Sequence, residues 1–160
     1  MREELRNHHP FVVENGAAVF ISVGYFTRQP QQTSLHGDFW VRRFVQPRRH
    51  WLQLIDEAEN AFAGEFRRFS SLDTTQIMQL TGLDKTSARR AAEREFGEPI
   101  QWQGSPARQE AFVSALRQRG ANVLRGGRFL HVSGDCDKGQ ALTWLVTRQL
   151  PMALFFGMAA

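Results

Sequence analysis

Residues 126–145 read GGRFLHVSGDCDKGQALTWL, and they contain the change from strand to helix that decides the fold class. The glycine pair that opens this stretch separates two short runs, 123–125 and 128–132, and therefore predicts a β-hairpin. The polar residues 134–139 predict a turn, and residues 140–149 have the apolar spacing of a helix. The side chains expected to point inward on this helix are Ala141, Leu142, Leu145 and Val146.

The same mixture of strand and helix patterns continues on both sides of this stretch. Short apolar or alternating runs predict strands over 11–13, 17–23, 39–45, 66–69, 99–103 and 151–156. Helical spacing predicts helices over 47–62, 74–80, 84–96 and 105–119, and residues 1–7 resemble the end of another. The expected helix caps are Thr74 or Thr75, Asp84 and Ser105, with Gly82 as a helix end. Residues 27–38 are polar, contain Pro30 and Gly37, and predict a loop. This alternation indicates an α/β or α+β protein.

The composition is ordinary for a globular protein, apart from its basic residues. The 160 residues are 42% hydrophobic and 22% charged, and 18 Arg and 2 Lys outweigh 6 Asp and 10 Glu, for a formal net charge of +4. The single cysteine excludes an internal disulfide and a four-cysteine zinc site. No apolar run reaches the roughly 18 residues that span a bilayer, and the charged first ten residues lack a secretory signal. We therefore expect a cytoplasmic protein with no membrane partner.

The segment Asp135-Cys136-Asp137-Lys138-Gly139 concentrates reactive groups within five positions. The two carboxylates allow a D-x-D nucleophile, although an aspartyl-phosphate enzyme normally has an apolar strand before this pair and a Gly-Thr turn after it. Lys138 at a helix N-terminus would alternatively bind a phosphate through its ammonium and nearby N–H groups. A solvated turn with an Asp as helix cap is the interpretation that the local pattern favours most. All three stay open at this point.

The remaining polar clusters indicate chemistry less strongly. The five histidines have none of the spacings of a zinc site, and two neighbouring carboxylates disfavour a thiolate at Cys136. Arginine pairs at 42–43, 48–49 and 67–68 alternate with aromatic residues, which is compatible with a nucleic-acid interface. No RNP, KH or zinc-finger motif accompanies them, so nucleic-acid binding is disfavoured.

Three stretches resemble the mannosyl-3-phosphoglycerate phosphatase family, whose members are haloacid-dehalogenase-like phosphatases. They are HPFVVENGAAVFISVGYF at 9–26, LTGLDKTSARRAAEREFGEPIQW at 80–102 and GGRFLHVSGDCDKGQALTWL at 126–145. The resemblance implies an α/β fold class with a partial Rossmann-like core and an inserted α+β cap. The core would comprise residues 1–37, with the ENGA turn and a linker, and residues 132–160, with the lysine motif. The cap would comprise residues 38–131.

The resemblance also implies an activity and a set of site residues. The reaction would be Mg²⁺-dependent removal of phosphate from mannosyl-3-phosphoglycerate, a sugar phosphate, to give mannosylglycerate. Lys138 would be the catalytic lysine that neutralises the phosphoryl group. The residues implied in substrate binding are Asn15, Gly16, Arg94, Glu98 and Arg128.

Three of the four catalytic motifs of the family have no counterpart in this sequence, and only the lysine motif remains. The missing ones are the apolar strand that ends Asp-x-Asp-Gly-Thr, the Ser or Thr of the second motif, and the later Gly-Asp-x-x-Asn-Asp segment. The first supplies the nucleophile and the last holds Mg²⁺. We therefore expect an incomplete copy of the family, with no metal ligand of its own and little or no activity alone. The alternatives are a non-catalytic sugar-phosphate-binding module derived from the cap and a basic nucleic-acid-binding protein.

Overall fold

The structure is a computed structural model that describes residues 8–149, and these residues divide into two units. The first contains residues 8–45 and 136–149, and the second is Gln46–Asp135. Each unit contains a four-stranded sheet in which every strand pair is antiparallel. The helix end expected over 1–7 and the strand expected over 151–156 lie outside the described residues.

The described residues contain eight strands and five α-helices. The strands are β1 (Phe11–Val13), β2 (Ala18–Ser22), β3 (Ser34–His36), β4 (Phe39–Arg43), β5 (Phe66–Arg68), β6 (Gly97–Trp102), β7 (Asn122–Gly126) and β8 (Phe129–Ser133). The helices are α1 (Arg48–Glu59), α2 (Thr74–Thr81), α3 (Lys85–Ala92), α4 (Pro106–Gln118) and α5 (Lys138–Gln149). The architecture is therefore α/β in composition, with strands and helices mixed along the chain.

The first unit is a sheet with strand order β1-β2-β4-β3 and helix α5 packed on one face. The alternating residues Val19 and Ile21 of β2 are fully buried and pack against Ala141 and Trp144 of α5. On the other face, Phe20 stacks on the Phe11 ring with a centroid distance of 5.2 Å. The period-two pattern of β2 thus gives both faces of this sheet an apolar layer.

The second unit is a sheet with strand order β5-β6-β8-β7. Ile100 of β6 and Leu130 of β8 lie opposite one another and are buried. Helix α1 contacts β6 and β8, and α4 contacts β7. Phe129, the neighbour of Leu130 on β8, packs against a separate cluster of Phe69, Ile77 and Ala88 that includes α2 and α3. Because neighbouring strand residues point to opposite faces, both faces of this sheet carry helices.

The unit boundaries differ from the domain limits expected from the sequence. Strand β4 pairs with β2 over its whole length, so residues 39–43 belong to the first unit and not to a segment that begins at 38. Strand β8 pairs with β6 and β7, which extends the second unit to Asp135 instead of 131. In both cases the backbone hydrogen bonds of a strand keep it with its sheet.

Two elements differ from the sequence patterns. Strand β3 lies inside the loop expected over 27–38, where three exposed residues pair with the edge of β4. Helix α3 ends at Ala92 and not at 96, because Glu93 leaves the helical conformation. No helix among residues 8–149 is long and apolar enough to cross a membrane. The cytoplasmic location stays a prediction.

Candidate functional site

The turn between β1 and β2 has an unusual backbone. Glu14, Asn15 and Gly16 have φ angles of 44°, 61° and 109°, three consecutive positive values. Asn and Gly adopt this region readily, whereas a Glu rarely does. The Asn-Gly turn expected from the sequence is confirmed. Positive φ at a residue other than glycine persists where surrounding contacts impose it, and such turns often lie at functional sites.

Gly16 approaches the start of α5 so closely that no side chain fits there. A Cβ atom at Gly16 would lie 2.2 Å from the Asp137 carbonyl oxygen and 2.9 Å from the Lys138 backbone nitrogen. Both distances are well inside van der Waals contact, so only glycine is compatible with this packing. The structure therefore brings together the backbones of three expected site residues, Asn15, Gly16 and Lys138, within the first unit.

The start of α5 explains how Lys138 is presented. The Asp137 carboxylate Oδ1 accepts a hydrogen bond from the Gln140 backbone N–H at 2.8 Å, which confirms an Asp as the helix cap. Lys138, the first residue of α5, is exposed. The helix N-terminus carries a partial positive charge, and the ammonium adds a full one. Capping by Asp137 and anion binding by Lys138 are compatible, because they use different side chains.

The described part of the chain offers no ready-made metal site. Among residues 8–149, no three His, Cys, Asp or Glu side chains cluster in a way that would hold a metal ion. Asp137 is engaged as a helix cap. Mg²⁺ prefers octahedral coordination by oxygen ligands. The described residues do not supply such a set of ligands.

Glu98, expected to bind substrate, is buried in the second unit with both carboxylate oxygens engaged. Its side chain is 0% exposed, and Oε2 accepts from Arg48 Nε at 2.5 Å. Oε1 accepts from the Ser70 backbone N–H at 2.8 Å. A carboxylate held in this way has no oxygen directed to solvent. Its geometry is that of a structural ion pair.

The same arginine reaches the segment that carries Arg94. Arg48 Nη1 donates to the carbonyl oxygens of Ala92 at 2.5 Å and Arg94 at 3.2 Å. These carbonyls belong to the chain between α3 and β6, where the next helical turn would otherwise form. Arg94 and Glu98 are therefore linked through Arg48.

His131 is a candidate site residue that the sequence patterns did not indicate. Burial, and then the positive charge of Arg94, lower the pKa of His131 below its usual range. A Cβ atom at Gly126 would lie 3.0 Å from His131 Nε2, so the imidazole lies directly against this glycine of β7. The spacing of the histidines bears only on metal binding, and no local sequence pattern reveals a neighbour from another strand or loop.

Arg128 occupies a separate position. It follows Gly127, whose φ of 57° forms the β7–β8 hairpin turn that the sequence predicts. Its exposed guanidinium Nη2 donates to the Leu80 carbonyl oxygen at 2.9 Å, near the C-terminus of α2. Helix C-termini favour such cations. The structure thus links Arg94 with Glu98 but gives Arg128 a different partner.

Comparison with known proteins gives a consistent family. No protein-family model matches the chain. It is 29% identical over 140 residues to the glucosyl-3-phosphoglycerate/mannosyl-3-phosphoglycerate phosphatase of Methanococcoides burtonii, covering 88% of this chain and 52% of that protein. The enzyme of the same name from Persephonella marina is 30% identical over 145 residues, with 89% and 52% covered.

A third relative carries a narrower name. The mannosyl-3-phosphoglycerate phosphatase of Pyrococcus horikoshii is 28% identical over 141 residues, covering 88% of this chain and 55% of that protein. The chain spans about half the length of these curated relatives. The resemblance to the mannosyl-3-phosphoglycerate phosphatase family is confirmed, and this chain is a relative of those enzymes.

Proposed function

We propose that this chain binds a glycosyl-3-phosphoglycerate, the compound that its relatives' names give as phosphatase substrate, with Lys138 as the residue that contacts the phosphoryl group. The observation that carries this proposal is the similarity to glucosyl- and mannosyl-3-phosphoglycerate phosphatases over 88–91% of the chain. In this proposal the first unit belongs to the Rossmann-like core and the second unit is the cap. Arg94 and Arg128 are the proposed cap-side contacts to the substrate.

The chemistry of Lys138 supports this role. An ammonium is a compact point charge suited to a phosphate, and it stands where α5 also offers backbone N–H donors. Fixed positive groups of this kind stabilise the charge that develops on a transferring phosphoryl group. The close approach of Gly16 to Asp137 and Lys138 fixes the helix start. Lys138 thus has the exposure and the rigid support of an anion-binding residue.

We further propose that the 160-residue chain binds its ligand without turning it over. Transfer through an aspartyl-phosphate needs a free carboxylate as nucleophile. The Asp-x-Asp-Gly-Thr motif that supplies this carboxylate in the family has no counterpart in the sequence, since Asp135-Cys136-Asp137 is followed by Lys138-Gly139. Asp137 caps α5, and the carboxylate of Glu98 is held by Arg48 and Ser70. The family resemblance implies Mg²⁺, but the described residues do not fit it, and we assign no step to a metal.

Calorimetry with mannosyl-3-phosphoglycerate and glucosyl-3-phosphoglycerate tests the binding proposal. We expect saturable binding that weakens about tenfold or more in Lys138→Ala, because hydrogen bonds to charged groups contribute about 1.5–3 kcal/mol. Lys85→Ala is the matched control, since Lys85 is also the exposed first residue of an Asp-capped helix. No heat at millimolar ligand, or equal weakening in both variants, contradicts the proposal.

A phosphate-release assay tests the proposed lack of turnover separately. With Mg²⁺ and either substrate, we expect release no faster than in the protein-free blank. Robust release that is lost in Lys138→Ala would contradict the inactivity while supporting the substrate class.

The nucleic-acid alternative has little structural support. The Arg48 and Arg68 side chains, from two of the arginine pairs, bind carboxylates of the second unit, namely Glu98 for the first and Asp56 and Glu59 for the second. An affinity for duplex or single-stranded oligonucleotides that falls steeply with salt concentration would support the nucleic-acid alternative.

A further inference from the structure

The second unit contains a buried charge that needs an explanation. Among the residues that the structure describes, Glu98 is the one charged residue that is buried. Removing a carboxylate from water costs several kcal/mol unless a partner and further hydrogen bonds compensate. In some proteins such a group specifies one arrangement of the surrounding chain.

The bonds around this carboxylate connect four separate segments of the second unit. Arg48 comes from the first turn of α1 and Glu98 from β6, and the two bond at 2.5 Å. Ser70, which follows β5, donates to Glu98, while Ala92 and Arg94 at the end of α3 accept from Arg48. A guanidinium is planar with its donors in fixed directions, so these bonds determine the position of the Ala92–Arg94 backbone.

We infer that Arg48 and Glu98 are positioning residues, which hold the Ala92–Arg94 backbone, and with it the Arg94 side chain, in place. The part of the ligand that Arg94 would receive is an anionic group, the carboxylate or phosphate of a phosphoglycerate, because an arginine fork suits both. This last step rests on the proposed function. Glu98 itself does not touch the ligand, since both of its oxygens are engaged.

The titration of His131 reports on the position of Arg94 in the absence of any ligand. It lies on β8 opposite Pro99 and Leu124, which carry no charge, with Gly126 against its ring. After burial, the positive charge of Arg94 is the second cause that lowers the His131 pKa, so we expect removal of that charge to raise it. A displacement of Arg94 is therefore visible as a shift in the titration of one imidazole.

The test is a titration of the His131 ring by NMR in Glu98→Gln. Loss of the negative charge would by itself lower the His131 pKa, whereas release of Arg94 would raise it, so the two effects have opposite signs. We expect a rise at least half as large as that in Arg94→Gln. No change, or a fall, would overturn the inference.

Two further variants make the result specific. Glu65→Gln removes the carboxylate of another ion pair in the same unit, that with Arg108, and should leave the His131 titration unchanged. In the double variant Arg94→Gln/Glu98→Gln, the second change should cause no further rise, because its target is already absent. A full additional rise would show that Glu98 acts on His131 by another route and would overturn the inference.

A charge-conserving variant covers the case in which Glu98→Gln does not fold. Arg48→Lys keeps the positive charge beside Glu98 but cannot bridge the two carbonyls in the same plane. We expect the His131 pKa to rise less in this variant than in Glu98→Gln. An unchanged His131 titration would overturn the inference. Because these measurements use no substrate, a failure to bind mannosyl-3-phosphoglycerate would remove the proposed function and leave the positioning result intact.

Discussion

The charged groups singled out in the two units lie in opposite environments. In the second unit, Glu98 is 0% exposed and its partner Arg48 only 14% exposed. In the first unit, Lys138 and the carboxylate of Asp137 are exposed, and the helix that carries them is fixed by backbone packing against Gly16. A buried ion pair stabilises the chain that surrounds it, whereas an exposed charge on a rigid backbone is available to a ligand.

This difference separates two residues that the sequence motifs treat alike. Both Glu98 and Lys138 lie in stretches that resemble the phosphatase family, and both are polar residues beside glycine. Only their surroundings distinguish them, since Glu98 accepts from donors of two other segments and Lys138 is exposed to solvent. The comparison predicts that the stability of the fold depends on Glu98 and, under the proposed function, that ligand affinity depends on Lys138.

The largest expected effect is on stability, in Glu98→Ala. Removing one partner leaves Arg48 as an uncompensated buried charge, which costs about 3–5 kcal/mol of unfolding free energy. Denaturant unfolding measures this, with Lys138→Ala expected within about 0.5 kcal/mol of the unmodified protein. If the two variants lost equal stability, the contrast between the units would not hold.

An apolar replacement of the whole pair is the control for this prediction. Arg48→Met/Glu98→Leu removes both charges together, so it should lose less stability than Glu98→Ala alone. A larger loss in the double variant would show that the stability comes from side-chain packing instead of charge compensation.

The local features of the fold were predictable from the sequence because neighbouring residues determine them. Asp84 and Ser105 cap α3 and α4 as expected, and Gly82 ends α2 with a φ of 75°. The cap expected at Thr74 or Thr75 is wrong, because Asp73 takes this place in a reciprocal pair with Gln76. The error is one or two positions, and the stronger capping tendency of Asp than of Thr explains it.

The features that depend on distant residues were not predictable. Arg48 and Glu98 are fifty positions apart, and no local pattern pairs them. The face of α5 was also partly wrong, since Leu142 is 50% exposed while Trp144 is buried. The residues of β2 that pack on α5 determine which face points inward. The expected roles of Asn15, Gly16, Arg94, Arg128 and Lys138 in catalysis or binding stay predictions. Substrate binding by Glu98 is also untested, and we infer a positioning role for it instead.

The next largest effect is expected in Gly16→Ala, which disturbs the packing that supports Lys138 at the start of α5. Alanine at this position combines a positive φ with a contact of 2.2 Å to the Asp137 oxygen, so α5 must shift. Gly24→Ala is the matched control, because Gly24 also has a positive φ but open space around it. We expect about 1–2 kcal/mol of destabilisation from φ alone in the control and a larger loss in Gly16→Ala.

The same pair of variants sharpens the assignment of the site. Gly16→Ala should also weaken the binding of mannosyl-3-phosphoglycerate, as measured by calorimetry, while Gly24→Ala should not. If both variants bound the ligand equally well, the close packing at Gly16 would serve stability alone and not the presentation of Lys138.

The smallest expected effect is a pH dependence of stability that belongs to the second unit. The folded protein holds the pKa of His131 below its usual value of about 6.5, so the unfolded chain binds the proton more readily. Stability is therefore lost as the pH falls below about 6.5, until the folded-state pKa is passed.

His131→Gln should flatten this part of the profile, whereas His36→Gln, a change at an exposed histidine of the first unit, should preserve it. Arg94→Gln should reduce the slope without abolishing it, because burial of the imidazole is the larger cause and remains. An unchanged slope in His131→Gln would assign the acid sensitivity to other groups and would remove His131 as a reporter on the charged centre of the second unit.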